Sequence, residues 1–195
     1  MTRTFKSFLI IPALLLLLTA GYFLYAEEQG NFHAITPGEA YRSGQLDRDE
    51  LKYYINKHHI KSIINLRGKN PGTAWYMEEL KVSAENGAAH FDLPLSASHE
   101  PGEEDVRKLM EIFMQAPRPV LIHCQGGADR SGLAAAMWKV IVDKEPKAEA
   151  GKQLSILYEH IPIGKTSAMD SFFRKWNYPA VSKAPIKLSS GRNVR

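Results

Sequence analysis

The sequence PVLIHCQGGADRSG at residues 119–132 joins an apolar run, a glycine-containing loop and the start of a helix. Residues 119–123 are a continuous apolar run bounded by proline, which predicts a strand buried at the centre of a sheet. The loop that follows holds the single cysteine of the chain, Cys124. Residues 131–142 are rich in alanine and leucine and predict a helix. Backbone amides in such a strand–loop–helix unit point inward, so the loop favours anions.

These features predict a nucleophile and an anion-binding loop. The amides and the helix N-terminus stabilise a thiolate on Cys124, which can attack phosphorus. Arg130 can donate two parallel hydrogen bonds to phosphoryl oxygens, and Ser131 can donate its hydroxyl to the Cys124 sulfur. The phosphate-binding residues are predicted to be Gln125, Gly126, Gly127, Ala128, Asp129 and Arg130.

The loop resembles the His-Cys-x5-Arg-Ser/Thr signature of the protein tyrosine phosphatase superfamily. More narrowly, the chain looks like a bacterial dual-specificity-type phosphatase over roughly residues 36–178. The supporting motifs are YRSGQ at 41–45, INLR at 64–67 and LPL at 93–95. The resemblance implies a compact three-layer fold and a metal-independent phosphomonoester hydrolase that acts through a phosphocysteine. We therefore expect no cofactor and no metal site.

Two other functions are compatible with a cysteine in this position. A phosphate-binding module without turnover would not require a thiolate, so the presence of both Cys124 and Arg130 argues against it. A sulfurtransferase also places cysteine between a strand and a helix, but its cysteine-to-arginine spacing is usually shorter than the six positions found here.

The general acid has several candidates. Asp129 lies inside the loop. The pattern Cys-x-x-Gly-x-Asp-Arg-Ser is similar to that of myotubularin-like lipid phosphatases and some secreted bacterial phosphatases. In those enzymes the loop aspartate is the general acid, and the resemblance implies the same role for Asp129. Asp92, which lies 32 positions before Cys124, is the alternative general acid. The acidic group at residues 100–105 is a third option: Glu100, Glu103, Glu104 and Asp105.

The rest of residues 30–180 alternates between strand-like and helix-like patterns. Strands are predicted at 61–66 and 90–95, and helices at 74–86, 102–116, 151–160 and 168–176. This order predicts one α/β catalytic domain with a central sheet flanked by helices. Within it, Arg42 and Arg67 could reach the substrate, but we expect them to form structural ion pairs. His123 is expected to orient the loop by hydrogen bonding.

The net positive charge of the chain comes from its two ends. The net charge is +4, of which residues 1–26 contribute +2 and residues 181–195 contribute +4, so the body carries −2. A nearly neutral body gives no reason to expect nucleic-acid binding. We expect a monomer whose partner is a phosphorylated substrate, either a protein, a phosphoinositide-like lipid or a sugar phosphate. Residues 181–195 are predicted to be a flexible basic tail.

Residues 1–29 are predicted to be an anchor or a signal. The 19 residues from 8 to 26 carry no charge, follow Arg3 and Lys6, and precede Glu27 and Glu28. This length is just sufficient for a membrane-spanning helix, and the charges favour a cytoplasmic N-terminus. The catalytic domain would then be extracytoplasmic, in the periplasm. The alternative is secretion after signal cleavage.

Overall fold

The computed structural model describes residues 10–19, 21 and 30–178. The strands are β1 (His33–Thr36), β2 (Ala40–Ser43), β3 (Ser62–Asn65), β4 (Ala89–Asp92) and β5 (Val120–His123). They form one sheet in the order β1-β2-β5-β3-β4. β1 is antiparallel to β2, and the other pairs are parallel. The apolar run before Cys124 is therefore the central strand, as its sequence predicts.

Helices cover both faces of the sheet. They are α1 (Arg48–His58), α2 (Ala74–Glu85), α3 (Glu103–Gln115), α4 (Asp129–Ile141), α5 (Lys147–Ala150) and α6 (Ser167–Lys175). α1 begins with a capping box, in which Asp47 accepts from the amide of Glu50 and Glu50 accepts from the amide of Asp47. The first turn of α3 carries three acidic residues, which suit the positive end of its dipole.

Alternation along the strands divides the core between the two faces. On one face, α1 and α2 pack on apolar residues of the sheet; this cluster includes Tyr41, Leu51, Tyr54, Ile55, Ile63, Val82 and Leu121. On the other, α3, α4 and α6 pack in the larger cluster, which includes Ile64, Leu109, Phe113, Ile122, Leu133, Met137, Trp138, Met169 and Phe173. The predicted α/β class with a helix-flanked sheet is confirmed.

The parallel register brings a row of polar residues to one edge of the sheet. Ser43 pairs with His123, His123 with Asn65, and Asn65 with Asp92. These four residues end their strands, and the loop that contains Cys124 leaves the sheet at the same edge. The site therefore lies at the carboxyl ends of the parallel strands, where α/β sheets usually bind ligands.

One predicted helix is wrong. Residues 151–160 form two 3₁₀ turns, Gly151–Gln153 and Ile156–Tyr158, and not a continuous helix. The backbone of Leu154 leaves the helical region, and that of Glu159 is left-handed. The segment instead uses a backbone carbonyl, that of Gln153, to accept a hydrogen bond from Arg42.

The N-terminal prediction is not supported by the structure. Residues 10–19 are helical and exposed. Among the described residues, no helix combines the length and the apolar character needed to cross a bilayer. The remainder of residues 8–26, apart from residue 21, and the predicted basic tail at 181–195 lie outside the described residues.

Candidate active site

Cys124 lies at the base of the loop between β5 and α4. Its side chain is buried, with 2% of the residue exposed. The Sγ atom lies 3.4 Å from Oγ of Ser131, which is itself fully buried in the first turn of α4. A hydroxyl at this distance can donate a hydrogen bond to a thiolate and so stabilise sulfur as a leaving group.

The carbonyls of the loop are turned away from its centre. Each of the four carbonyls that follow Cys124 accepts a hydrogen bond from outside the loop. The carbonyl of Gln125 accepts from the amide of Gln45 at 2.9 Å, and that of Gly126 accepts from Nδ2 of Asn31 at 3.0 Å. The carbonyls of Gly127 and Ala128 both accept from Nη2 of Arg42, at 2.8 and 2.9 Å. The amides of these same residues donate to no group within the described residues. Free amides that converge on one point form an anion-binding nest.

Arg42 on β2 sets much of this geometry. It is fully buried, and its Nη1 donates to the carbonyl of Gln153 at 2.7 Å, while Nη2 donates to the two loop carbonyls. The guanidinium also stacks on the ring of Tyr158, at 4.5 Å. Burial lowers the pKa of Arg42 to about 10, so it is a cation at neutral pH. The predicted structural role is therefore right, but the partners are carbonyls and an aromatic ring in place of a carboxylate.

Gly127 gives the loop its turn. Its backbone φ is +73°, and a Cβ atom there would lie 2.5 Å from the amide nitrogen of Gly44. The close approach of β2 to the loop thus requires glycine.

The guanidinium of Arg130 is not committed to a carboxylate within the described residues. Nη1 lies 3.4 Å from the carbonyl of Leu95 and 3.5 Å from that of Leu66, and the buried Nε has no hydrogen-bond partner there. An arginine in the first turn of α4 with donors to spare can bind two phosphoryl oxygens.

Glu79 on α2 supports the base of the loop from the other face. Its carboxylate lies 3.1 Å from Nε2 of His123 and accepts from Nε2 of His90 and of Gln45, each at 2.8 Å. Burial alone would raise the pKa of Glu79, but the close contact with His123 and the hydrogen bonds from His90 and Gln45 bring it well below its usual range. Nδ1 of His123 lies 3.3 Å from the carbonyl of Cys124. The predicted orienting residue His123 is thus held between Glu79 and the nucleophile's own backbone.

Arg67 lies near this network without an ion pair to any described carboxylate. Its Nη1 donates to Oε1 of Gln45 at 3.0 Å, and its guanidinium stacks on Trp75 at 3.6 Å. Burial and the neighbouring Arg130 lower the pKa of Arg67. The predicted ion pair is therefore replaced by an amide and an aromatic partner, and a partly exposed cation lies close to Arg130.

The three candidate acids differ in their surroundings. Asp92 ends β4, two strands and so about 10 Å from β5. It accepts from Asn65 at 2.9 Å and from the hydroxyl of Tyr76 at 2.8 Å. Burial and the bond to Asp92 raise the pKa of Tyr76 to about 12. Both oxygens of Asp92 are thus occupied by neutral donors.

The acidic group at residues 100–105, at the start of α3, is engaged on the surface. Glu100 pairs with Lys175 at 2.7 Å, Glu104 with Arg107 at 2.6 Å, and Asp105 accepts from the amide of Gly102 at 3.2 Å. These contacts cap and brace α3.

Asp129 has a different partner. Its Oδ1 lies 2.7 Å from Nδ1 of His160, and Nε2 of the same ring lies 2.8 Å from Oδ2 of Asp170 on α6. The side chain of His160 has no exposed surface, whereas that of Asp129 is 24% exposed. Of the candidate acids, Asp129 is the one in the loop itself that also retains access to solvent.

Several residues of this site are absent from the sequence-based interpretation. Glu79 lies in the helix predicted at 74–86, and it shares a buried face with Tyr76 and Ser83 at helical spacing. Asn31, His160 and Asp170 reach the loop from distant parts of the chain, and no local pattern marks them. Gln45, by contrast, belongs to the motif YRSGQ.

Known proteins match this chain in sequence or in fold. Residues 28–171 match the family described as a DSP-PTPase phosphatase fused to NAD+ kinase. The probable NAD kinase 2, chloroplastic, of Oryza sativa subsp. japonica is 24% identical over 132 residues, which are 66% of this chain but only 13% of that protein.

Two solved structures show the same fold. P. aeruginosa TpbA matches with a TM-score of 0.57 and 19% identity over 75% of this chain and 85% of TpbA, and it has also been solved in complex with pTyr. The catalytic domain of the S. cerevisiae PP-IP phosphatase SIW14 matches with a TM-score of 0.59 and 18% identity over 73% of this chain and 85% of that domain.

The family match covers the whole sheet, the cysteine loop and most of the helices. It supports neither a sulfurtransferase nor a module without turnover. This chain belongs to the family described as a DSP-PTPase phosphatase fused to NAD+ kinase, a dual-specificity-type branch of the protein tyrosine phosphatase superfamily.

Proposed function

We propose that the chain hydrolyses phosphomonoesters through a phosphocysteine on Cys124. In the first step the thiolate attacks phosphorus, the Sγ–P bond forms and the leaving oxygen departs. In the second step water attacks phosphorus and the P–S bond breaks, with Ser131 donating its hydroxyl to the departing sulfur. The loop amides and Arg130 stabilise the charge on the phosphoryl oxygens in both transition states.

One observation carries this proposal: four consecutive carbonyls of the loop are bonded outward while their amides are unpaired among the described residues. The loop is thus organised before any substrate arrives, and preorganised donors contribute most to electrostatic catalysis. A monoester presents three non-bridging oxygens to such a nest. A diester presents two, and its second substituent would have to fit where Cys124 is only 2% exposed.

Asp129 is the general acid in this proposal. It lies one residue before Arg130 and is partly exposed, whereas Asp92 is bonded to Asn65 and Tyr76. A carboxylic acid in the loop can protonate an alkoxide leaving group, for which a proton matters most.

The substrate is proposed to be a phosphorylated protein or a lipid or sugar phosphate with a further negative group near the scissile phosphate. The support is the position of Arg67, a partly exposed cation that lies close to Arg130 and is held over Trp75. TpbA, which has the same fold, has been solved with pTyr, and SIW14 is a PP-IP phosphatase. A panel of phosphopeptides, phosphoinositides and sugar phosphates would rank these classes.

The nucleophile is tested by Cys124→Ser in the full chain. We expect aryl phosphate hydrolysis to fall by at least about 10⁴-fold, because a hydroxyl in this loop is not ionised at neutral pH. Rapid-quench mass spectrometry of the wild type should trap one phosphoryl group per chain on the peptide containing Cys124.

Cys124 is the only cysteine, so the variant has no other thiol that could react with the substrate. Circular dichroism would verify that the variant is folded. A folded Cys124→Ser protein that retains one tenth of the activity would contradict the proposal.

A further inference from the structure

His160 lies buried between two carboxylates from different helices. Nδ1 is 2.7 Å from Oδ1 of Asp129, in the first turn of α4, and Nε2 is 2.8 Å from Oδ2 of Asp170, in α6. The ring has no exposed surface, while the side chains of Asp129 and Asp170 are 24% and 29% exposed. The inner member of the cluster is thus shielded from water, and one outer member belongs to the catalytic loop.

The two contacts require two shared protons. A neutral imidazole has one N–H, so a cluster with hydrogen bonds at both ring nitrogens holds one more proton, on the ring or on a carboxyl group. Burial alone would lower the pKa of His160, but the bonds to Asp129 and Asp170 outweigh it and raise the pKa. The cluster therefore retains its second proton to a higher pH than a free histidine would.

Asp129 and Asp170 are the charged groups that act on the ring. The segment that carries His160 contributes backbone, since the amide of His160 donates to the carbonyl of Ser155 at 3.2 Å. Arg42 acts on Asp129 electrostatically from the side of β2. The proton balance of the ring is thus set by one carboxylate on α4 and one on α6.

The chain departs from regular structure to place this ring. Glu159 has a left-handed backbone with φ of 63°, which non-glycine residues adopt rarely, directly before His160. Unusual backbone of this kind persists where the surrounding contacts determine it, and such positions concentrate at functional sites.

We propose that His160 is a positioning residue that holds the proton delivered by Asp129 to the leaving oxygen, and that Asp170 orients the ring. This inference rests on the proposed function of Asp129 as general acid. As the P–O bond breaks, the proton shared by Nδ1 of His160 and Asp129 passes through Asp129 to the leaving oxygen, which leaves Asp129 as a carboxylate beside a neutral ring. When water attacks the phosphocysteine, Asp129 takes a proton from that water and returns it to Nδ1. The cluster thus ends each cycle with the protons it began with.

A structural cross-link between α4 and α6 would account for the same contacts, and leaving-group dependence separates the two roles. We expect His160→Asn, which keeps a side-chain donor but cannot store a proton, to lose roughly 100-fold in kcat on an alkyl phosphate at pH 7. With p-nitrophenyl phosphate, whose leaving group needs little protonation, the loss should be below about fivefold. Asp129→Asn should show the same split.

The pH profile provides the second readout. In Asp170→Asn the ring loses one of the two carboxylates that raise its pKa, so the alkaline limb of the kcat profile for the alkyl phosphate should move to lower pH by about one unit. The limb for p-nitrophenyl phosphate should not move. His59→Asn, at an exposed position with a left-handed backbone that asparagine tolerates, is the matched control.

Equal losses on both substrates in His160→Asn, or an alkaline limb that stays in place in folded Asp170→Asn, would overturn the role of His160 and leave the phosphatase proposal intact. Asp129→Asn that hydrolyses alkyl phosphate like the wild type would overturn the assignment of the acid. Failure of the proposed function itself would appear differently, as full activity in Cys124→Ser.

Discussion

The guanidinium of Arg42 is buried and donates to backbone carbonyls at Gln153, Gly127 and Ala128. Lysine has the same charge but lacks the planar fork that reaches separate acceptors. We expect Arg42→Lys to leave at least one carbonyl unpaired, with a loss of about 2–4 kcal/mol in the free energy of unfolding. Because the loop amides depend on these carbonyls, kcat/KM for an aryl phosphate should fall by roughly 100-fold.

Urea unfolding and steady-state kinetics would measure both effects. Arg174→Lys, at an exposed position on α6, is the matched control and should change neither quantity. An Arg42→Lys protein with wild-type kcat/KM would show that the loop keeps its shape without the hydrogen bonds from the guanidinium.

The sequence analysis could propose Cys124, Arg130 and Ser131 as site residues because they lie close together in the chain. It could not identify the partners of those residues. The sequence analysis predicts that Arg42 pairs with a carboxylate, whereas its partners are backbone carbonyls. Backbone carbonyls are common to all residues, so such partners leave no pattern in a sequence. His160 and Asp129 are 31 positions apart and meet only in the folded chain.

At the scale of elements, the loop between β5 and α4 is fixed by its contact with β2. The backbone of Gly127 has φ of +73°, and an added Cβ would lie 2.5 Å from the nitrogen of Gly44. Gly126, its neighbour, has no atom within 4 Å of the corresponding position. We expect Gly127→Ala to lower the free energy of unfolding by at least about 2 kcal/mol, from left-handed strain and displacement of β2.

The free energy of unfolding of Gly126→Ala should lie within about 0.5 kcal/mol of the wild-type value. Thermal and urea unfolding of the pair would decide the matter, because the two variants add the same methyl group one residue apart. Similar stability of both variants would mean that the loop and β2 can move apart at little cost.

The elements that were predicted correctly share strong local patterns. α3 and α6 have apolar residues at helical spacing, and β5 is entirely apolar up to His123. β2 was not recognised because its sequence is AYRS, in which buried Arg42 and Ser43 hide a strand that is buried at every position. The predicted helix at 151–160 failed since tertiary contacts to Arg42 and Asp129 override its helical propensity.

At the scale of the whole molecule, two buried proton-linked clusters brace opposite faces of the sheet. Glu79 joins α2 to β4 and β5 on one face through His90 and His123. On the other face, His160 joins α4 to α6. Both clusters adjoin the same loop, so the protonation states that stabilise the fold also shape the site.

The two clusters depend on pH with opposite sign. The folded-state pKa of Glu79 is depressed, so its contribution is present above the unfolded value of 4.5 and is lost as pH falls toward the folded pKa. The pKa of His160 is raised, so its contribution is present below 6.5 and is lost as pH rises through the folded pKa. Both are fully present only between pH 4.5 and 6.5.

We therefore expect the free energy of unfolding to be greatest in this mildly acidic range and to decline on both sides, with each cluster contributing roughly 1–3 kcal/mol. Urea unfolding at intervals from pH 4 to 9 would trace the curve. Glu79→Gln should flatten the acidic limb and leave the alkaline limb, and His160→Asn should do the reverse. If the wild type became steadily more stable from pH 6.5 to 9, His160 would not be held as a cation by its two carboxylates, because a group with a raised pKa can only lose stabilisation as its proton leaves.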